Sequence, residues 1–262
     1  MKQLFISVLL YCALPCTTYA NTPPSPIRYE HESYEQAKNR AISDSIKSIV
    51  PNHNHVDYPF ERRLPFHLID FSKVPKLKSY NDAQTLFDLI RDQRFLSRYD
   101  PHFLRRVPWL YPDNGCAERA ALASVLANDH KLPRPAKIYA FGDLEVQTPN
   151  HPDGAVRWWY HVSLIVSVND SYYVLDPAIN PYQPMLAIDW FKSMTVKSNY
   201  IRGIVCSPRN YLPSHSCMHP PKGDDDMGIN RSYEFLHYEY KRVKALGYNP
   251  IDVLGDTPPW LG

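Results

Sequence analysis

Glycine is scarce in this 262-residue chain, with nine in all. None falls in a G-x-G-x-x-G or G-x-x-x-x-G-K run, so the glycine-lined phosphate cradles of nucleotide enzymes are excluded. An excess of one charge is also missing. The 29 basic and 27 acidic residues leave no electrostatic footprint for a nucleic acid. Internal repeats are absent, and the longest apolar run, Leu4 to Leu14, is too short to cross a bilayer as a helix. Cysteines are few, five in total, and their places matter more than their number.

What is present begins with a leader. Lys2, the apolar run and the Thr18-Tyr19-Ala20 stretch read as a secretory signal over residues 1–20. Cys16, preceded by Ala13, Leu14 and Pro15, is a poor lipid-attachment site, so an exported protein, periplasmic or secreted, without a stable membrane anchor is expected. Cleavage there leaves 242 residues, enough for one well-filled domain and an extension. Cys12 and Cys16 leave with the leader, and Cys116, Cys206 and Cys217 remain. In an oxidising compartment an odd count leaves one thiol over. Cys206 and Cys217, close across a proline-bearing loop, are the expected disulfide, and Cys116 the free thiol.

Residues 21–60 read as a first helix over Tyr34 to Val50, a tether or a removable pro-segment, which the sequence leaves open. His53 and His55 read as surface histidines. Phe66 to Phe71 is expected as a strand, and Asn81 or Asp82 as the cap of a helix running to about Phe95. Pro112 to Gly115 is a turn cluster, and from Ala117 helix formers take over, with Leu122, Val125 and Leu126 on one face. Lys137 to Phe141 is a short strand, Gly142 to Gly154 a loop. Val156 to Val168, dense in aromatic and β-branched residues, is the strongest strand signal, and Asn169-Asp170 turns it onto Ser171 to Leu175. A short helix over Asp189 to Met194, a strand over Tyr200 to Val205 and a helix over Arg231 to Leu246 complete the pass. His215, Cys217 and His219 with Cys206 match no common zinc module. Asp224 to Asp226 lack the closing Glu of a calcium loop, Phe235 standing there, and read as a solvated acidic turn. No metal and no cofactor is expected.

The chemistry is carried by three residues. Cys116 lies where a loop becomes a helix, and there unpaired N–H groups and the helix dipole favour a thiolate. His161 lies inside the strongest strand, with Trp159 and Ser163 expected on its face and Trp158, Tyr160 and Val162 opposite. Asp176 closes the neighbouring strand. Taken singly, these are an ordinary core cysteine, a strand histidine and an Asp-Pro turn. Together with the unpaired thiol they supply a nucleophile, its base and a group to orient that base.

The segments YPDNGCAERA, WWYHVSLIV and YYVLDPAINP resemble those of the bacterial protein-glutaminase (protein glutamine deamidase) family, within the transglutaminase-like and papain-like cysteine hydrolases. The resemblance covers roughly residues 80 to 195, with Asn114 standing where another acidic or similar residue is expected. It implies an α+β fold with an antiparallel sheet and the nucleophile-bearing helix on one face. It also implies Cys116, His161 and Asp176 as the catalytic triad of an amidohydrolase, working through a thioester on accessible glutamines of proteins or peptides. A transglutaminase and a cysteine peptidase would share that triad, and a non-catalytic binding module the scaffold. The expected organisation is a signal over 1–20, an extension over 21–60, a catalytic domain over 61–205, and a disulfide-bearing segment over 206–262 packed on it.

Overall fold

The aromatic run after Gly154 forms the longest strand, β5 (Ala155–Val168), and the rest of the sheet is laid about it. A computed structural model describes residues 36, 63–92, 94–96, 104–130, 132–194, 201–212, 217–220 and 224–254. The leader, the helix expected from Tyr34 (Gln36, helical, excepted), His53, His55 and His215 lie outside them. In chain order β1 (Leu64–Pro65) leads to helix α1 (Tyr80–Asp92), then the hairpin β2 (Arg94–Leu96) and β3 (Leu104–Arg106). Helix α2 (Cys116–Asp129), β4 (Ala136–Gln147), β5, β6 (Ser171–Leu175), β7 (Met185–Leu186) and helix α3 (Ala187–Ser193) follow. The described chain ends with β8 (Arg202–Cys206) and helices α4 (Asp224–Ala245) and α5 (Pro250–Leu254).

The main sheet has the order β1-β8-β4-β5-β6-β7, with every neighbouring pair antiparallel. This is the expected α+β architecture. One face carries Tyr139, Phe141, Val162, Leu164 and Leu175 and packs on α1 and α2. The other carries Ile138, Ala140, Ile165 and Val174 and packs on Trp190 and Phe191 of α3. The alternation of β-branched and aromatic residues thus serves two cores, one on each side of the sheet.

Helix α2 is buried all round, not along the single face expected. Of its fourteen residues only Val125, Asn128 and Asp129 are not buried. The alanine-rich composition permits this: α4 lies so close that a Cβ on its Gly228 would come within 2.3 Å of the Ala121 methyl. Glycine there sets how closely the two helices approach.

Several local expectations are corrected. Phe66–Leu68 is a 3-10 turn, not a strand. Phe66 folds back to pack on Phe71 and Phe191 at 5.7 and 5.4 Å between ring centroids. Ser79 Oγ, rather than Asn81 or Asp82, accepts the capping N–H of Asp82. The first helix stops at Asp92 because Arg94–Leu96 pair with Leu104–Arg106, strands too short to show a period. β4 continues to Gln147 through a register shift after Phe141, so only residues 148–154 form the loop expected from Gly142. Residues 224–226 open helix α4 instead of forming a separate turn. The disulfide Cys206–Cys217 is formed, and Cys116 is free and buried.

Candidate active site

Cys116 opens α2. Its N-cap, Gly115, holds φ +84°, a conformation that costs glycine little. The turn before it is held by Arg119, whose Nη1 donates to the carbonyls of Pro108 (3.3 Å), Tyr111 (2.9 Å) and Asn114 (2.7 Å). The Trp158 indole N–H donates to the Pro112 carbonyl at 2.8 Å, tying the same turn to β5.

His161 and Asp176 come together because β6 pairs β5 only from Leu164 to Val168. Asp176 leaves the sheet one residue past Leu175, beside Ser163, whose hydroxyl donates to the Leu175 carbonyl at 2.7 Å. From there Asp176 Oδ2 accepts from His161 Nε2 at 2.7 Å and from the Trp190 indole at 2.8 Å. Its Oδ1 accepts the Ala178 N–H at 3.2 Å. His161 and Asp176 are 1% and 2% exposed against 8% for Cys116, so the thiol-bearing residue is the most accessible of the three.

The electrostatics follow from this packing. Burial lowers the His161 pKa, but the Asp176 carboxylate, and after it Cys116, reverse the effect and lift it to about 9. Asp176 moves the other way: burial raises it, but His161 and the Trp190 indole hold it below the usual carboxylate range. The ring is a cation at neutral pH. Its Nδ1 has no aligned hydrogen bond among the described residues, yet Cys116 is near enough to act on its charge. Such a loose contact would suit a thiol and its base before substrate arrives. Tyr160, next to His161 on β5, has its phenol pushed well up by burial, then by Cys116 and Glu118, and is a neutral hydroxyl.

The side-chain parity along β5 differs from the expectation. Phe141 pairs with Tyr160 but Leu144 with Trp158, so Gly142 and Asp143 oppose Trp159 alone. This bulge switches the faces of the strand. Trp158, not Trp159, therefore shares the histidine's face and stacks on its ring at 4.4 Å, while Trp159 and Tyr160 pack on the α2 side. Trp190 is the other member that sequence reasoning missed. It comes from α3, where only a helix was visible. Among the described residues no group of three or more His, Cys, Asp or Glu side chains is placed to hold a metal ion.

Residues 83–194, which contain Cys116, His161 and Asp176, match the family model described as Glutaminase. Over those residues the chain is similar to the glutaminase family. A glutaminase is an amidohydrolase, converting the carboxamide of glutamine to carboxylate and ammonia. Among solved structures the chain is similar to a crystal structure of protein-glutaminase, at 19% identity over 63% of this chain and 88% of that one, with TM-score 0.46. It is also similar to the NMR structure of protein-glutaminase from Chryseobacterium proteolyticum, at 17% identity over 72% and 93%, with TM-score 0.42. A crystal structure of pro-protein-glutaminase matches at 17% identity over 76% and 67%, with TM-score 0.47. No curated protein matches. The matched segment holds most of α1 and all of β2, β3, α2, β4 to β7 and α3; helix α4 lies beyond it.

Proposed function

We propose that the chain deamidates glutamine side chains of proteins or peptides with Cys116, His161 and Asp176 as its catalytic triad. The observation that carries this reading is the buried 2.7 Å bond between His161 and Asp176, beside a free thiol at a helix start, within the glutaminase-family segment. The Cys116 thiolate attacks the carboxamide carbon. The oxyanion is met by N–H groups at the start of α2, which Gly115 leaves without a side-chain cap. His161 gives its proton to the departing ammonia as the C–N bond breaks and the thioester remains. It then takes a proton from water, whose hydroxide adds to the thioester and releases carboxylate and thiol. Asp176 keeps the imidazole in the required tautomer.

The Cys206–Cys217 disulfide supports an oxidising compartment, in keeping with export by the leader. No helix among the described residues is long and apolar enough to cross a membrane. Residues 61–205 are the catalytic domain in this reading, with 206–262 packed on it and 21–60 outside the machinery. The test is ammonia release from a glutamine-rich protein, with mass spectrometry of that substrate. Conversion of glutamine to glutamate is expected, falling at least about a thousandfold in Cys116→Ala. Crosslinks to lysine would make the enzyme a transglutaminase, and chain cleavage a peptidase. Full activity in Cys116→Ala would end the reading.

A further inference from the structure

The turn that presents Cys116 is held from three directions, and one lies outside the glutaminase-family segment. Arg119 and Trp158 hold it from within, as described. The third hold is helix α4. Its Arg242 Nη1 donates to Asp113 Oδ2 at 2.7 Å and to the Asn150 carbonyl at 3.0 Å. The other Asp113 oxygen lies 3.3 Å from His151 Nε2. Arg242 and Asp113 side chains are only 14% and 15% exposed, and the guanidinium sits 5.3 Å from the Tyr111 ring centroid. One turn earlier Glu239, fully buried, accepts the Leu110 N–H at 2.7 Å. Phe235 closes against Gly115 so tightly that a Cβ there would meet its ring at 3.0 Å. Three side chains of one helix thus meet the backbone or side chains of the stretch that runs into Cys116. A helix needed only to cover an apolar core has no use for a buried carboxylate and a mostly buried guanidinium aimed at one turn, since burying charge is costly unless geometry repays it.

We propose that α4 belongs to the catalytic apparatus, with Arg242 as a positioning residue that acts through Asp113. By fixing the turn, it sets the Cys116 thiol and the first N–H groups of α2 against His161. The proposal rests on Cys116 being the nucleophile. Its signature is a loss in kcat rather than KM, because a displaced nucleophile slows the chemical step without removing a contact to substrate.

The test uses the full chain and the variants Arg242→Ala, Arg242→Lys, Asp113→Asn, the Arg242→Ala/Asp113→Asn double, Cys116→Ala, and Lys241→Ala at an exposed neighbouring site. Ammonia release gives kcat and KM, the iodoacetamide rate reads Cys116 directly, and circular dichroism checks folding. Arg242→Ala and Asp113→Asn are each expected to lower kcat by about ten- to a hundredfold with KM within about twofold, and to change the alkylation rate. The double variant should lose no more than the worse single, because both act through one contact. Arg242→Lys, which keeps the charge without the forked donor, should recover part of the loss, and Lys241→Ala should match the wild type. Wild-type kcat in either single variant, additive losses in the double, or a change in KM alone overturns the proposal. Should Arg242→Ala fail to fold, the near-isosteric Asp113→Asn and the Lys variant decide by the same criteria. Activity in Cys116→Ala would instead strike at the nucleophile assignment.

Discussion

The Trp158 ring lies flat on the His161 imidazole, 4.4 Å away and 11° from parallel. Trp190 approaches the same imidazole at 5.7 Å between centroids. The imidazole packs on two indoles while its edge meets Asp176, so packing and hydrogen bonding both restrict its orientation. A cation in contact with aromatic faces is also favoured, in the same direction as the upward shift that Asp176 imposes.

The pH dependence follows with a definite sign. His161 is raised from 6.5 to about 9, so the stability its charge contributes is full below 6.5 and is lost as pH climbs through 9. Activity that needs the imidazolium should fall over the same upper range. In Asp176→Asn the largest raising influence is gone and burial is opposed by Cys116 alone, so the alkaline limb should move down. Profiles of kcat/KM and of Cys116 alkylation against pH measure this. An alkaline limb that stays in place in the Asn variant contradicts the assignment of Asp176.

Gly115→Ala combines two costs that a second glycine separates. Gly115 holds φ +84° with the Phe235 ring in the way, whereas Gly247 holds φ +82° with nothing near it. Gly247→Ala should therefore show only the left-handed backbone cost of about 1–2 kcal/mol and leave kcat alone. Gly115→Ala should lose more stability and, in addition, lose kcat, because position 115 directly precedes Cys116, the proposed nucleophile. Thermal melts and initial rates on both variants distinguish the two terms.

Much of the site was legible because its chemistry narrows the choice of residues. Cys116 announced itself through an odd thiol count and a turn-to-helix boundary. His161 stood in the densest strand, and Asp176 ended the next one. Trp158 could not be placed from β5, since the bulge that re-aims it lies in β4 at Gly142 and Asp143. Arg242, His151 and Trp190 reach the site from separate segments by tertiary packing, and no local period records that. The helix α2 was read as one-sided because Val125 keeps helical spacing with Leu122. The covering helix α4, itself distant in sequence, is what buries the remaining sides.

The disulfide sets a third expectation. Cys206 ends β8, and Cys217 closes a loop of sequence separation 11 that holds Asn210 and Tyr211 against the core. Removing both cysteines as Cys206→Ser/Cys217→Ser should cost about 2–3 kcal/mol, lowering the melting temperature by about 5–10 °C. Alkylation of the native, unreduced protein should label Cys116 alone. Labelling of Cys206 or Cys217 under those conditions would show that the bond does not form in solution.

The encased helix α2 has a consequence for how the enzyme fails. Amide hydrogens on an element covered on every side exchange only through the largest openings of the molecule. Those of α2 should be among the slowest to exchange, while α5, with Ile251 exposed, opens early. The proposed nucleophile, Cys116, is therefore mounted on a part expected to come apart last. Heat inactivation should follow global unfolding rather than precede it, unlike enzymes whose reactive group sits on a peripheral loop.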